Sequence, residues 1–327
     1  MSVSPFRPSA ARAVASTRRG YVNDRTDGPS CTFTVLTPTY NRAHTLPAVY
    51  DSLCAQTFRN FEWLIIDDGS TDATAAIVQR WIAEQKIVVR YYCQPNGGKH
   101  VAFNHGIREA AGELLLTLDS DDRVLPEALE RLDSHWRAIP DRERFSGITG
   151  LCVDPQGRVI GTSFPQDVYD ASPLDLMAGN IYEGDKWGFH RTELLRDCPY
   201  PEIPGERFIP EGLVWNRLAD KYLIRFVNEP LRVVEYHPDG LSAGLLRLRV
   251  QSPQGAMLYY GEFAAMSRSR ANRARALVNL ARFAHHARVS WWSVLRRAKA
   301  GVALPAYGLA GWFFWWRDCR VLARPVR

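Results

Sequence analysis

Paired cysteines are missing from this chain. Its six cysteines, Cys31, Cys54, Cys93, Cys152, Cys198 and Cys319, are scattered and none stands in a C-x-x-C spacing. Neither a zinc site nor a disulfide framework is expected, and reduced thiols are the simplest reading. A secretory-type apolar run is missing as well. Residues 1–30 hold Arg7, Arg12, Arg18, Arg19 and Arg25 among Ser, Ala, Pro and Gly, and read as a disordered leader. Asp24 and Asp27 argue against a transit peptide. No apolar stretch reaches the roughly 20 residues that a membrane span needs, since the run at 301–316 is short and interrupted by Pro305. No internal repeat is present. With 327 residues, 46% of them hydrophobic and 23% charged, disorder throughout is excluded and the length suits one large domain or two small ones.

Acid is nearly absent from one end. From Arg268 onward, 13 Lys or Arg face a single acid, Asp318, whereas residues 1–267 carry 28 basic against 34 acidic side chains. The net charge of +6 therefore hides an acidic body and a basic tail. Basic tails meet nucleic acid or anionic lipid. This one also carries Trp291, Trp292, Trp312, Phe313, Phe314, Trp315 and Trp316, and Trp with Arg suits a lipid headgroup layer. An anionic membrane surface is thus the expected partner of residues 268–327 in preference to nucleic acid. The alternative is a helical appendage whose aromatics pack on the body.

Residues 31–132 alternate short apolar runs with amphipathic stretches, the pattern of βαβ units on a mostly parallel sheet. Strands are expected at 32–36, 62–66, 87–91 and 113–118, and helices at 45–55, 73–84 and 100–110. A fourth helix is expected from near Leu125, with Pro126 in its first turn. Beyond Ser146 the pattern predicts a hairpin through 147–153 and 159–163 around Asp154-Pro155-Gln156-Gly157. Helices follow at 173–178 and 211–222, and then two strands in 223–236 broken at Asn228-Glu229-Pro230.

The chemistry falls where the first, second and fourth strands end. Thr37-Pro38-Thr39-Tyr40-Asn41-Arg42, Asp67-Asp68-Gly69-Ser70 and Asp119-Ser120-Asp121-Asp122 follow these strands, so a parallel sheet delivers all three to its carboxyl edge, where open α/β folds bind ligands. Asp119, Asp121 and Asp122 repel one another without a cation, and oxygen donors at this density suit Mg²⁺ or Mn²⁺. Each acidic cluster read alone is equally an acidic turn capping the next helix, with Asp72 as one such cap.

Together with Gln56-Thr57-Phe58-Arg59-Asn60-Phe61-Glu62-Trp63, Gly97-Gly98-Lys99 and Asn104-His105-Gly106, these motifs resemble glycosyltransferase family 2 in order and spacing over roughly residues 32–240. The resemblance implies an α/β GT-A nucleotide-diphospho-sugar transferase fold, Rossmann-like with helices on both faces of the sheet. It implies a catalytic domain at 31–245, its nucleotide-sugar half at 31–135 and its acceptor half at 136–245, followed by a basic aromatic helical tail at 246–327. The implied reaction is an inverting transfer of a sugar from a nucleotide-diphospho-sugar, UDP-linked, to the hydroxyl of a saccharide or lipid-linked acceptor in cell-surface polysaccharide or glycolipid assembly. The resemblance puts Pro38, Tyr40 and Arg42 around the base and Asp68 on its uracil edge. Lys99 and Asn104 would line the nucleotide pocket, Asp119 would face ribose and metal, and Asp121 with Asp122 would hold Mn²⁺ or Mg²⁺ against the diphosphate. A cytoplasmic enzyme is expected, peripheral on the inner face of the plasma membrane.

Inversion also needs a base to take the acceptor proton. Glu211 in Ile209-Pro210-Glu211-Gly212 is the expected base, although relatives carry Glu-Asp where this chain has Gly212. Asp185 and Glu183 are the alternatives. The segment 182–188 would shape an acceptor pocket with Trp187 as a sugar platform, or Trp187 is a core residue. His237 is a candidate late metal ligand. The processive Q-x-x-R-W motif is absent, so single additions are expected. A nucleotidyltransferase is disfavoured because the first loop is not Gly-rich, and the non-enzymatic alternatives are a nucleic-acid-binding protein using the basic tail and a catalytically lapsed scaffold.

Overall fold

The computed structural model describes residues 19–21, 31–181, 183–235 and 244–323. Contacts divide the chain into two units. One holds Arg18–Tyr200 and Arg217–Gly240, and the other joins Pro201–Asn216 to the C-terminal helices. Residues 201–216, expected in an acceptor half, therefore cluster with the tail.

The first unit is built on β1 (Arg19–Tyr21), β2 (Cys31–Thr39), α1 (Leu46–Cys54), β3 (Phe61–Asp67), α2 (Thr74–Glu84), β4 (Val88–Cys93), α3 (Lys99–Glu109) and β5 (Gly112–Thr117). After these come β6 (Arg123–Val124), α4 (Ala128–Arg137), β7 (Phe145–Val153), β8 (Val168–Ala171), α5 (Pro173–Ala178), β9 (Lys186–Arg191) and α6 (Thr192–Arg196). Then follow α7 (Gly212–Ala219), within which the division falls, and β10 (Leu223–Val233). The strands form one sheet in the order β1-β4-β3-β2-β5-β9-β7-β10-β6, with β8 also on β10. β2 lies parallel to β3 and β5, β3 to β4, and β7 to β10. β1, β6, β8 and β9 run antiparallel to their neighbours. The α/β, mostly parallel sheet read from the sequence is present.

Central strands buried on both faces need continuous apolar sequence, and β3 is buried at every position. On one face Phe33, Val35, Trp63 and Ile65 pack with α1, α2 and α4. Tyr50 of α1 and Trp81 of α2 stack there at 4.6 Å. On the other face α3 approaches closely: a Cβ on Gly106 would meet Leu36 Cδ1 at 2.2 Å, so a larger residue would force the buried Leu36 side chain to shift. Glu62, a charged side chain at 0% exposure in this sheet, is compensated by Arg90 at 3.0 Å, the Thr34 hydroxyl at 2.6 Å and the Ala111 N–H at 2.8 Å.

Four expectations are corrected. Arg19–Tyr21, inside the segment read as a disordered leader, pair with Tyr91–Cys93 of β4; the rest of 1–30 lies outside the described residues. α4 starts at Ala128 because the preceding carbonyls are taken elsewhere, Leu125 O by Gln56 Nε2 at 2.8 Å and Pro126 O by the Thr57 N–H at 2.9 Å. The turn at Asp154 forms, with Gly157 at φ +80°, but its returning arm makes a single bridge, Val153 to Val159. β10 is one strand, not two. A register shift between Phe226 and Pro230 accommodates the proline, and the Asn228 side chain pairs with the Phe164 backbone at 2.8 and 3.0 Å.

The second unit adds α8 (Leu245–Gln251), α9 (Pro253–Met266), α10 (Arg270–His286), α11 (Trp291–Arg297) and α12 (Leu304–Leu322). Leu277, Leu280, Ala281, Leu295 and Leu304 form its core. Glu206 caps α9 through the N–H groups of Gln254 and Gly255, both at 2.7 Å. The helical tail read from the sequence is thus a packed body. Among the described residues no helix is long and apolar enough to cross a membrane.

Candidate active site

The loops after β2, β3, β4 and β5 share one edge of the sheet because these strands are parallel. β7 and β10 end at that edge and antiparallel β9 begins there. The first two loops are interlocked. The Asn41 N–H donates to Ser70 Oγ at 2.8 Å, Asn41 Oδ1 accepts from the Thr71 N–H at 2.8 Å, and the Ala43 N–H donates to Asp72 Oδ2 at 3.0 Å. Asn41 sits at φ +53°, a left-handed geometry that Asn tolerates. Against partial desolvation, donors from Thr74 and Ala43 hold the Asp72 carboxyl below its usual range. Asp67 accepts from the Ser70 N–H at 2.7 Å and from the Tyr91 hydroxyl at 2.5 Å. Pro38 is buried at the end of β2, opposite Ile66, and Tyr40 is exposed just beyond it.

Asp68 is 4% exposed and already holds three donors: Gln94 Nε2 at 2.8 Å, the Gly97 N–H at 2.9 Å and the Gly98 N–H at 2.7 Å. Desolvation pushes its carboxyl up while these donors work against the rise. The expected contact of Asp68 with a uracil imide would be made beside these three donors. Asp68 shapes the glycine loop that leads into α3, where Gly98 at φ +98° turns the chain into Lys99. The Asn104 amide pairs with the Tyr200 backbone at 2.9 and 2.8 Å, clamping a distant segment.

Lys99 Nζ lies 2.5 Å from Asp119 Oδ1. Against desolvation, Lys99 and then Arg232 hold the Asp119 carboxyl below its usual range, and 37% of its side chain stays open. Asp121 is pushed up by desolvation and by Asp119, with Arg42 opposing. Asp122, 5% exposed, ion-pairs with Arg232 of β10 at 3.0 Å, and desolvation raises it despite that pair. Asp122 is engaged by Arg232, and among the described residues no group of three or more His, Cys, Asp or Glu side chains is placed to hold a metal. Asp119 and Asp121 remain, and they fit a divalent ion that fills its other positions with phosphate oxygens and water. Thr39 Oγ1 and Thr117 Oγ1, at the ends of β2 and β5, are buried with no hydrogen-bond partner among the described residues.

Arg232 was missed by the sequence reading, although an Arg inside the apolar run Leu231-Arg232-Val233-Val234 is itself a signal. Lys186 begins β9 and Asp185 precedes it, so both lie at the same edge; desolvation lowers the pKa of Lys186, with Cys152 and then Asp185 opposing. Trp187 is a core residue: it is 4% exposed, with Nε1 donating to Thr117 O at 2.7 Å. Glu211 is exposed immediately before α7 and belongs to the second unit. A Cβ on Gly212 would meet the Tyr259 ring at 3.0 Å, so a larger residue here would press on that ring. Glu183 is exposed. Tyr182 and His237 lie outside the described residues.

Residues 34–142 match the model of Glycosyl transferase family 2. An uncharacterized glycosyltransferase of Rickettsia felis is 38% identical over 238 residues, 65% of this chain and 36% of its own. The poly(ribitol-phosphate) beta-N-acetylglucosaminyltransferase TarS of Staphylococcus aureus is 29% identical over 174 residues, 50% of this chain and 28% of that one. The chain spans about a third of the length of the curated relatives it matches. A structure of S. aureus TarS 1–349 with UDP aligns at a TM-score of 0.58 and 20% identity, covering 90% of this chain and 93% of that one. The same fragment with UDP-GlcNAc aligns at 0.56 and 19% identity, covering 89% and 92%. The likeness shows a GT-A fold.

Proposed function

Residues 34–142 are a glycosyltransferase family 2 domain, and from that premise we propose that the chain moves a sugar from a nucleotide-diphospho-sugar to an acceptor hydroxyl with inversion. The observation that carries this reading is the charge arrangement at the carboxyl edge. Asp119 and Asp121 stand there among Lys99, Arg42 and Arg232, a set suited to a diphosphate and its counter-ion. A uridine base is favoured because similar structures hold UDP and UDP-GlcNAc. The acceptor is a saccharide or lipid-linked hydroxyl of the cell surface, added to once per encounter.

Displacement at the anomeric carbon builds negative charge on the departing diphosphate. Lys99 and Arg42 supply positive charge to that group, and the interlocked loops at Asn41 and Ser70 hold the edge rigid, so little reorganisation is needed. Mn²⁺ or Mg²⁺ held by Asp119 and Asp121 would supply Lewis-acid stabilisation of the same charge. Arg232 fixes Asp122 in place and opposes the desolvation that raises its carboxyl, and Asp68 sets the path of the glycine loop. Glu211 is the proposed base, with Asp185 as the alternative within the first unit.

The test is donor turnover followed by proton NMR of the product. An inverted anomer, lost in Glu211→Gln with nucleotide affinity kept, supports the reading. Loss in Asp185→Asn alone moves the base to Asp185, and a retained anomer overturns the single-displacement mechanism.

A further inference from the structure

The aromatics of the tail divide between two faces of α12. Leu304, Gly308, Gly311 and Asp318 are buried, and this face is fixed by close contact. A Cβ on Gly308 would meet Trp291 at 2.1 Å, and one on Gly311 would meet Ala281 Cβ at 2.6 Å. The opposite face carries Leu309, Trp312, Phe313 and Trp316, spaced i, i+3, i+4 and i+7, and these are 68%, 49%, 50% and 36% exposed. Such spacing makes one continuous apolar stripe on a helix. Arg320, one turn on, lays its guanidinium over the Trp316 ring at 3.7 Å.

Charge decides the occupant. Asp318, the one acid among the last 60 residues, is turned inward at 1% exposure and consumed by Arg282 at 2.6 Å through both oxygens and by His286 at 3.0 Å. Among the described residues from Arg268 onward no other acid is left to balance Arg317 and Arg320, both exposed on this helix, or Arg296, Arg297 and Lys299 before it. A second copy would bring the same positive charge against itself. Nucleic acid wants cations interleaved along the aromatic track, whereas here the apolar stripe is unbroken and the arginines stand at its end. An apolar, Trp-rich stripe flanked by cations matches the headgroup layer of an anionic bilayer. We propose that the outward face of α12 docks this protein on an anionic lipid surface, with Leu309, Trp312, Phe313 and Trp316 entering the headgroup boundary and Arg317 and Arg320 meeting lipid phosphates.

The experiment is co-sedimentation of the full chain with vesicles of phosphatidylcholine alone and of phosphatidylcholine with roughly 30% phosphatidylglycerol. Binding is expected to the anionic vesicles only, weakened about tenfold or more by Trp312→Ser with Phe313→Ser. Arg317→Gln with Arg320→Gln should weaken it severalfold at low salt and little at high salt. Unchanged thermal midpoints certify the folds, and Leu309→Gln, at the most open position of the stripe, serves if the aromatic pair does not fold. Equal binding to neutral vesicles, binding indifferent to these substitutions, a dimer that depends on the stripe, or stripe-dependent RNA binding in place of vesicle binding would each overturn the proposal.

Discussion

Replacing Arg232 by Met removes the partner of a carboxylate that has nowhere to go. Asp122 is 5% exposed and its Oδ2 lies 3.0 Å from the guanidinium, while Asp119 and Asp121 add repulsion. Breaking a buried pair from one side costs about 3–5 kcal/mol, a large part of the roughly 5–15 kcal/mol of a typical domain. At pH 8 we expect Arg232→Met to lose about that much in urea unfolding. Asp122→Asn with Arg232→Met should recover to within about 1 kcal/mol of the parent, because no charge is then left buried. The sign with pH follows from the same geometry. Without Arg232 the folded state holds a proton on Asp122 that the unfolded chain releases, so the penalty of the single variant grows as pH rises and shrinks as pH falls toward 5. Additive single and double variants, or a penalty independent of pH, would refute the pair. The double variant also separates roles: retained metal dependence marks Asp122 as structural, and its loss returns Asp122 to the ligand set.

Three further outcomes are expected. Asp68→Ala should weaken nucleotide binding about tenfold or more, by calorimetry, through loss of the loop contacts; because the effect runs through the loop, UDP and GDP should lose equally, and a loss confined to UDP would mark a direct uracil contact. Gly212→Asp should destabilise by about 1–3 kcal/mol, since its Cβ presses on Tyr259 at 3.0 Å, and Tyr259→Leu should relieve this; a neutral Gly212→Asp would refute the packing account. Desolvation pushes His190 of β9 down to about 4 from 6.5, so the unfolded chain takes up its proton first as pH falls. The stability present above pH 6.5 should drop by up to about 3 kcal/mol by pH 4, and an unchanged urea-midpoint profile in His190→Asn would contradict this.

The parallel half of the fold was legible because β2 to β5 and their helices obey local periodicity. The apolar run at 62–66 and the helix at 73–84 need no distant partner to be read. Where tertiary contacts overrode local signals, the reading slipped. β10 keeps its course through Pro230 only because a register shift absorbs it, and α4 waits until Ala128 because Gln56 and Thr57 capture the carbonyls before it. At the site, the loops at Asn41, Asp68 and Asp119 were found from their motifs. What neighbours bring could not be: Arg232 reaches Asp122 across 110 positions of chain, and Tyr200 turns Asn104 into a clamp. Spacing alone likewise did not reveal which of the three acids Arg232 pairs with, which is Asp122.

The most direct test of the central claim is release of nucleoside diphosphate from a panel of UDP- and GDP-sugars, with and without Mn²⁺ or Mg²⁺, in the parent chain and in Asp121→Ala. The account predicts turnover of at least one donor that requires the ion and falls at least about a hundredfold in the variant. Turnover of no donor in the presence of acceptor lipids and saccharides, or turnover indifferent to Asp121→Ala, would contradict it.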